Sequence, residues 1–301
     1  MQLNPPLLTF SALQTRPSTY SWPNGGRLAV YVAVNVEGFR FGSGLGACIA
    51  PAGPQPDVLN WSWREWGNRV GALRLLQLLD QLSLPVALLP NSCLLEHCPE
   101  VLEAFARHPP GCELVGHGRS NSERQSEWGE EEERRMVHEV RRAFQETTLG
   151  PMRGWLSPWI AESHVTSDIL SENGFTYTLN WCHDDAVTRL ATKNGGNFFS
   201  VPYPQDGLND IPAIMGRLES PAQFADAIMD AFDENLKSSM SEGGPPRVMG
   251  IALHPYIIAQ PHRLGHLRRA LEHITRVARE QPEAVWLCTP GETCAHAATH
   301  L

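Results

Sequence analysis

His117 stands in the run 114–121 (LVGHGRSN), and the position four residues on holds Asn121. A hydrolase that carries a metal on a loop or helix repeats its histidine three or four residues later, so that both imidazoles face one ion. Here the repeat is an amide. One histidine between two glycines, followed by an asparagine, describes a polar pocket from which a metal ligand has been removed. Glu37 offers different chemistry. It follows the apolar run 28–34 (LAVYVAV), where a buried strand delivers side chains to a site. A carboxylate there is hydrogen-bonded, paired or functional, because burying it bare is costly. Desolvation is expected to raise its pKa toward the range of a general base. His254 ends another apolar run and precedes Pro255, which sets the chain direction after the strand. Asp184 and Asp185, after Trp181-Cys182-His183, are placed to hold a histidine in one tautomer or to bind a substrate nitrogen. Each has a structural alternative: a loop-capping carboxylate for Glu37, a core histidine for His117, a turn or N-cap pair for the aspartates.

The elements that must position these residues alternate. Strands are expected over 27–35, 84–89, 113–115, 175–179, 197–203, 248–253 and 284–288. A strand end or tight loop is expected at 155–158. Helices are expected over 70–82, 99–106, 127–147, 167–173, 221–237 and 264–279. The first of these helices places Val70, Leu73, Leu76 and Leu79 on one face. Glycine-rich 38–53 lacks a phosphate-binding fingerprint and reads as a pocket rim; 238–246 is a second loop. Candidate chemical residues recur just after strands, the arrangement of a parallel barrel whose site lies at the carboxyl ends of its strands. An open doubly wound sheet would instead gather them at one switch point.

The bulk numbers restrict the partners. The 301 residues are 42% hydrophobic and 19% charged with net charge −9, an ordinary globular mixture that gives no hold on a nucleic-acid backbone. No apolar run approaches the roughly 20 residues that span a bilayer, and residues 1–6 lack the pattern of a secretory signal. Seven scattered cysteines without a C-x-x-C pair point to a reducing compartment. A cytoplasmic protein is expected, with no nucleic-acid and no membrane partner.

The ordered set of motifs resembles the NodB-type polysaccharide deacetylase superfamily, and within it the metal-independent allantoinase and cyclic imide hydrolase branch. The resemblance is carried by 22–30 (WPNGGRLAV), 35–38 (NVEG), 67–74 (GNRVGALR), 116–118 (GHG) and 154–158 (GWLSP). It continues through 175–177 (FTY) with Trp181 and Asp184-Asp185, 201–203 (VPY) with Asn209-Asp210, and 253–255 (LHP) with 260–263 (QPHR). It implies an α/β fold, a distorted parallel (β/α) barrel of about seven strands. One domain is expected over 1–301, with 1–26 an N-terminal extension packing on the barrel.

Where metal-dependent members carry adjacent aspartates, this chain has Val36-Glu37. Where they carry a histidine pair it has His117 and Asn121, and where they carry an arginine it has Leu156. Catalytic zinc usually needs three protein ligands, so no cofactor is expected, with a divalent metal such as zinc as the alternative. Without a metal to activate water and polarise the carbonyl, the fitting substrate is an activated one: a cyclic amide, imide or ureide. The expected catalytic residues are Glu37, His117 and His254. The expected substrate contacts are Asn121, Trp155, Asp184, Asp185, Tyr203, Asn209, Asp210 and Arg263. The resemblance also implies a homo-oligomer, dimer or tetramer. Rival readings are a metal-dependent N-deacetylase of a small or carbohydrate substrate, and a non-catalytic binding protein of the same fold.

Overall fold

Alternation along the first strand sets the architecture. The computed structural model describes residues 20–51 and 53–301. In β1 (Leu28–Val36) every residue is buried. Val30, Val32, Val34 and Val36 join the core shared with the helices, whereas Ala29, Tyr31 and Ala33 join a second cluster in the lumen of the sheet. A two-residue side-chain period produces this split, and it turns Asn35 and Glu37 to the lumen side.

Eight further strands complete a curled nine-stranded sheet. They are β2 (Val86–Pro90), β3 (Cys112–Gly116), β4 (Gly154–Trp155), β5 (Tyr177–Thr178), β6 (Thr188–Leu190), β7 (Phe198–Ser200), β8 (Arg247–Leu253) and β9 (Val285–Leu287). The spatial order is β6-β7-β5-β4-β3-β2-β1-β8. All pairings are parallel except β6 with β7. Residues 28–30 of β1 pair with β9, and residues 32–36 pair with β2. The expected strand count of about seven becomes nine: β4 is a two-residue strand where a strand end or tight loop is expected, and β6 is an added antiparallel edge. The sheet curls until β8 meets the far side, where Val248 N–H donates to Asp185 O at 2.7 Å and Ala252 N–H to Leu208 O at 2.9 Å.

Ten helices lie among the described residues: α1 (Val58–Trp66), α2 (Ala72–Leu82), α3 (Leu94–His97), α4 (Pro99–Ala106), α5 (Glu130–Gln145), α6 (Thr166–Glu172), α7 (Pro221–Met240), α8 (Pro255–Ile258), α9 (Pro261–Glu280) and α10 (Pro290–Ala298). A π-turn, Gly67–Gly71, joins α1 to α2 and shifts the helical phase. Val70 and Leu73, expected on the buried face, are therefore 38% and 41% exposed. Leu76 and Leu79 bury as expected, and Ala72 and Leu75 bury in place of the other two. The turn is where α8 presses in: a Cβ at Gly67 would lie 2.7 Å from Tyr256 Cβ, and one at Gly71 2.6 Å from Pro255 O. Those two glycines admit the segment that carries Tyr256 into the site.

Of the expected extension 1–26, residues 1–19 lie outside the described residues. Trp22 is buried and its indole N–H donates to Arg247 O at 2.9 Å, at the amino end of the strands. Close packing also fixes β4. A Cβ at Gly154 would lie 2.0 Å from Tyr177 Cζ. That tyrosine is fully buried and donates to Glu113 at 2.7 Å. Gly154→Ala is expected to destabilise the protein by about 1–3 kcal/mol through overpacking, read as a lower urea midpoint.

Candidate active site

Strand ends deliver the polar groups to one place: Glu37 after β1, Asn91 after β2, His117 after β3, Ser157 after β4, Tyr203 beyond β7 and His254 after β8. They surround or support a cavity of about 390 Å³, a volume suited to a small molecule. Glu37 is its charged centre. Its Oε1 accepts from Asn121 Nδ2 at 2.5 Å and its Oε2 from the Tyr256 hydroxyl at 2.8 Å. The Nε2 atoms of His117 and His254 each stand 3.5 Å from Oε1.

The amide orientations follow from a chain of donors. Gly38 N–H donates to Asn91 Oδ1 at 2.7 Å, so Asn91 turns its Nδ2 toward the His117 carbonyl and toward Asn121 Oδ1 at 2.9 Å. Asn121 then has only its NH₂ left for Glu37. His117 Nδ1 lies 2.7 Å from the carbonyl of Leu156 and so carries a hydrogen. Its Nε2 is buried without a hydrogen-bond partner.

His254 is held from both sides. Its Nδ1 lies 2.6 Å from Asp210 Oδ1, and its backbone N–H donates to Asp210 Oδ2 at 2.8 Å. Burial disfavours the charged imidazolium, yet Asp210 and Glu37 outweigh it and raise the His254 pKa to about 10. Burial likewise pushes Glu37 up, but His254 and His117 outweigh it and bring that carboxyl down to about 2. The expected rise at Glu37 is therefore reversed, because two imidazoles face it. Asp210 is pushed up by burial, against the pull of His254. At neutral pH the centre is an ionised carboxylate beside a protonated histidine.

No family model matches the chain. A Schizosaccharomyces pombe protein assigned to the polysaccharide deacetylases is 24% identical over 300 residues, 90% of each chain. The peptidoglycan deacetylase of Helicobacter pylori is 22% identical over 242 residues, 70% of this chain and 80% of that one. The crystal structure of PuuE allantoinase superposes with a TM-score of 0.80 at 22% identity, covering 94% of both chains. The chain has homologues and structural neighbours in the polysaccharide deacetylase superfamily. The superfamily fold accounts for the strand-end placement, while the site keeps its own departures.

Of the expected residues, Glu37, His117, His254, Asn121, Tyr203 and Asn209 line the cavity. Asp210 reaches it only through His254 and is a positioning residue. Four expected contacts stand apart. Trp155 is fully buried, with Phe175 edge-on against its ring, because β4 turns it outward. Asp185 pairs with Arg247 at the opposite end of β8 from His254, and Asp184 accepts from Ala186 N–H in the same turn. Arg263 donates to Ile257 O at 3.1 Å in the first turn of α9. Of the two loops, 38–53 gives Ala47 to the wall, whereas 238–246 packs near Arg27 at the amino end of β1. The sequence reading passed over Asn35, Trp159 and Tyr256, all of which line the cavity. Tyr256 was within reach, two residues after His254 in a segment that proline holds.

Proposed function

We propose that this protein hydrolyses the C–N bond of a small cyclic amide, imide or ureide, opening the ring by direct attack of water and without a metal. The observation that carries the reading is the Asn121 amide, whose NH₂ donates to the carboxylate oxygen that a cation would need. The remaining donor set does not fit a divalent ion. His254 is held protonated between two carboxylates, His117 and Glu37 are then two donors, and Val36 is buried in the helix-facing core. Among the described residues no group of three or more His, Cys, Asp or Glu side chains is arranged to hold a metal.

Each carboxylate oxygen of Glu37 keeps a lone pair beyond its bonds to Asn121 and Tyr256. Glu37 takes a proton from water as the oxygen bonds to the ring carbonyl carbon. His117, whose Nδ1 hydrogen faces the Leu156 carbonyl, has its Nε2 lone pair open to accept from the same water and orient it, while the charge on His254 stabilises the developing oxyanion. His254 gives its Nε2 proton to the departing nitrogen as the C–N bond breaks. The proton on Glu37 then returns to His254 across the 3.5 Å between them. A metal lowers the pKa of water from about 15.7 to about 7. A ring amide whose nitrogen leaves beside a second carbonyl needs less of that help than an acetamide does.

Overnight chelation is expected to leave ring opening within about twofold of the untreated rate. Assays would cover succinimide, glutarimide, dihydrouracil, hydantoin and allantoin. Activity lost on chelation and restored by zinc sinks the metal-free reading. Inactivity on every ring with tight ligand binding favours a binding protein. The implied homo-oligomer, dimer or tetramer, is checked by light scattering of the purified protein.

A further inference from the structure

Asn35 is fully buried one pleat below Glu37 and lines the same cavity. Its Nδ2 lies 2.9 Å from the Tyr203 hydroxyl and 3.4 Å from Leu253 O. A carbonyl only accepts, so the nitrogen assignment is fixed and Oδ1 is the other atom. That Oδ1 is buried without a hydrogen-bond partner. Leaving such an acceptor unpaired is costly, because it has lost its water and gained nothing in return. Beside it, the Tyr203 hydroxyl accepts from Asn35 and its own proton has no acceptor among the described residues. Burial holds that phenol in its protonated form, its pKa well above the ordinary value. The cavity floor thus presents one open acceptor next to one open donor.

We infer that Asn35 and Tyr203 select the substrate by reading an N–H and a C=O held side by side on the ring edge away from the scissile bond. Asn35 Oδ1 takes the N–H, and the Tyr203 hydroxyl donates to the C=O. This rests on the ring-opening reading and narrows it. An adjacent N–H and C=O point the same way only in a cis amide, a form that an open-chain secondary amide adopts in well under about 0.1% of bonds. A ring has no choice. The rise along a strand is about 3.3 Å per residue, so Asn35 and Glu37 are roughly 6–7 Å apart along β1. That is the reach of a five- or six-membered ring spanning both. The pair therefore favours hydantoin- and dihydropyrimidine-type rings, which carry a second N–H beside a C=O, over a ring whose only N–H is at the bond being cut.

Hydantoin and N1-methylhydantoin separate the two contacts, because methylation removes the distal N–H and leaves the scissile imide intact. The wild-type kcat/KM is expected to favour hydantoin by about 10²-fold or more, since a site built to bond an N–H rejects the analogue that lacks it. Asn35→Leu should collapse that ratio to below about tenfold, the range of a purely steric preference. Tyr203→Phe should lower kcat/KM on hydantoin while keeping the preference for the N–H, which decides the matter if Asn35→Leu does not fold. Ring opening at equal rates on both probes, or a preference that survives in folded Asn35→Leu, overturns the assignment and leaves ring opening standing. No turnover of either probe, and no binding of either to Glu37→Gln by calorimetry, overturns both.

Discussion

Glu37→Gln is expected to lower kcat by about 10²–10⁴-fold with the fold intact, the usual worth of a general base. The substitution keeps the side-chain volume and an oxygen for the Asn121 amide. The Tyr256 hydroxyl accepts as readily as it donates, so the new NH₂ finds a partner. What disappears is the lone pair that takes the proton from water, together with the negative charge facing both imidazoles. A second effect separates this from a general disturbance. Glu37 is one of the two carboxylates that raise the His254 pKa to about 10, so its removal should also pull down the alkaline limb of the residual activity. Circular dichroism and a urea titration check the fold, and a pH–rate profile checks the limb. Turnover near that of the wild type would take Glu37 out of the mechanism.

The strands were the most legible part of the chain. The run before Glu37 is apolar on both faces, and only a strand covered on both sides tolerates that. Short strand β6 was harder. β6 was not expected at all: three residues including Arg189 give no period to read, and its place depends on β7 lying antiparallel beside it. α10 was missed although its signal was present: Thr289 and Glu292 form a capping box with Pro290 between them. The π-turn could not be read locally. Its cause is the backbone of Pro255 and Tyr256, almost two hundred residues away, pressing against Gly67 and Gly71.

The site divides along the same line. Glu37, His117 and His254 could be named because each follows a strand, and a parallel barrel collects such positions at one end. Asn35 follows from the same logic carried one step further. If Glu37 faces the lumen, the residue two earlier does too. Of the two aromatic residues expected as substrate contacts, Tyr203 lines the cavity, but the indole there belongs to Trp159 and not Trp155. Trp159 and Ile160 take left-handed backbone angles, φ 62° and 55°, which ordinary side chains rarely adopt. A sequence pattern carries no sign of that turn, and the Trp159 indole reaches the Asn121 carbonyl at 2.9 Å because of it. Asp210 reads in the sequence as a substrate contact. Its type was informative, but only the fold shows that both of its oxygens are spent on His254.

That last placement gives the other large expected effect. Asp210→Asn should lower kcat by about 10²-fold or more near pH 8, within the range for a lost general acid. Burial alone would keep His254 neutral, and the charge of Asp210 is the largest influence opposing it. The asparagine preserves shape and one acceptor but not the charge, so His254 gives up its proton at lower pH. In the wild type the working state has Glu37 ionised and His254 protonated, so activity should run on a plateau that falls off as pH climbs through about 10. In the variant the fall-off should move down toward the ordinary histidine value of 6.5. The stability change has the same sign. A histidine whose pKa is raised by folding stabilises the native state fully below 6.5, and that contribution is lost as pH rises through about 10. Urea midpoints should therefore decline across that window in the wild type and be flatter in Asp210→Asn. If the alkaline limb of the variant stays near pH 10, His254 is not the acid that Asp210 maintains, and the proton reaching the leaving nitrogen comes from elsewhere in the cavity.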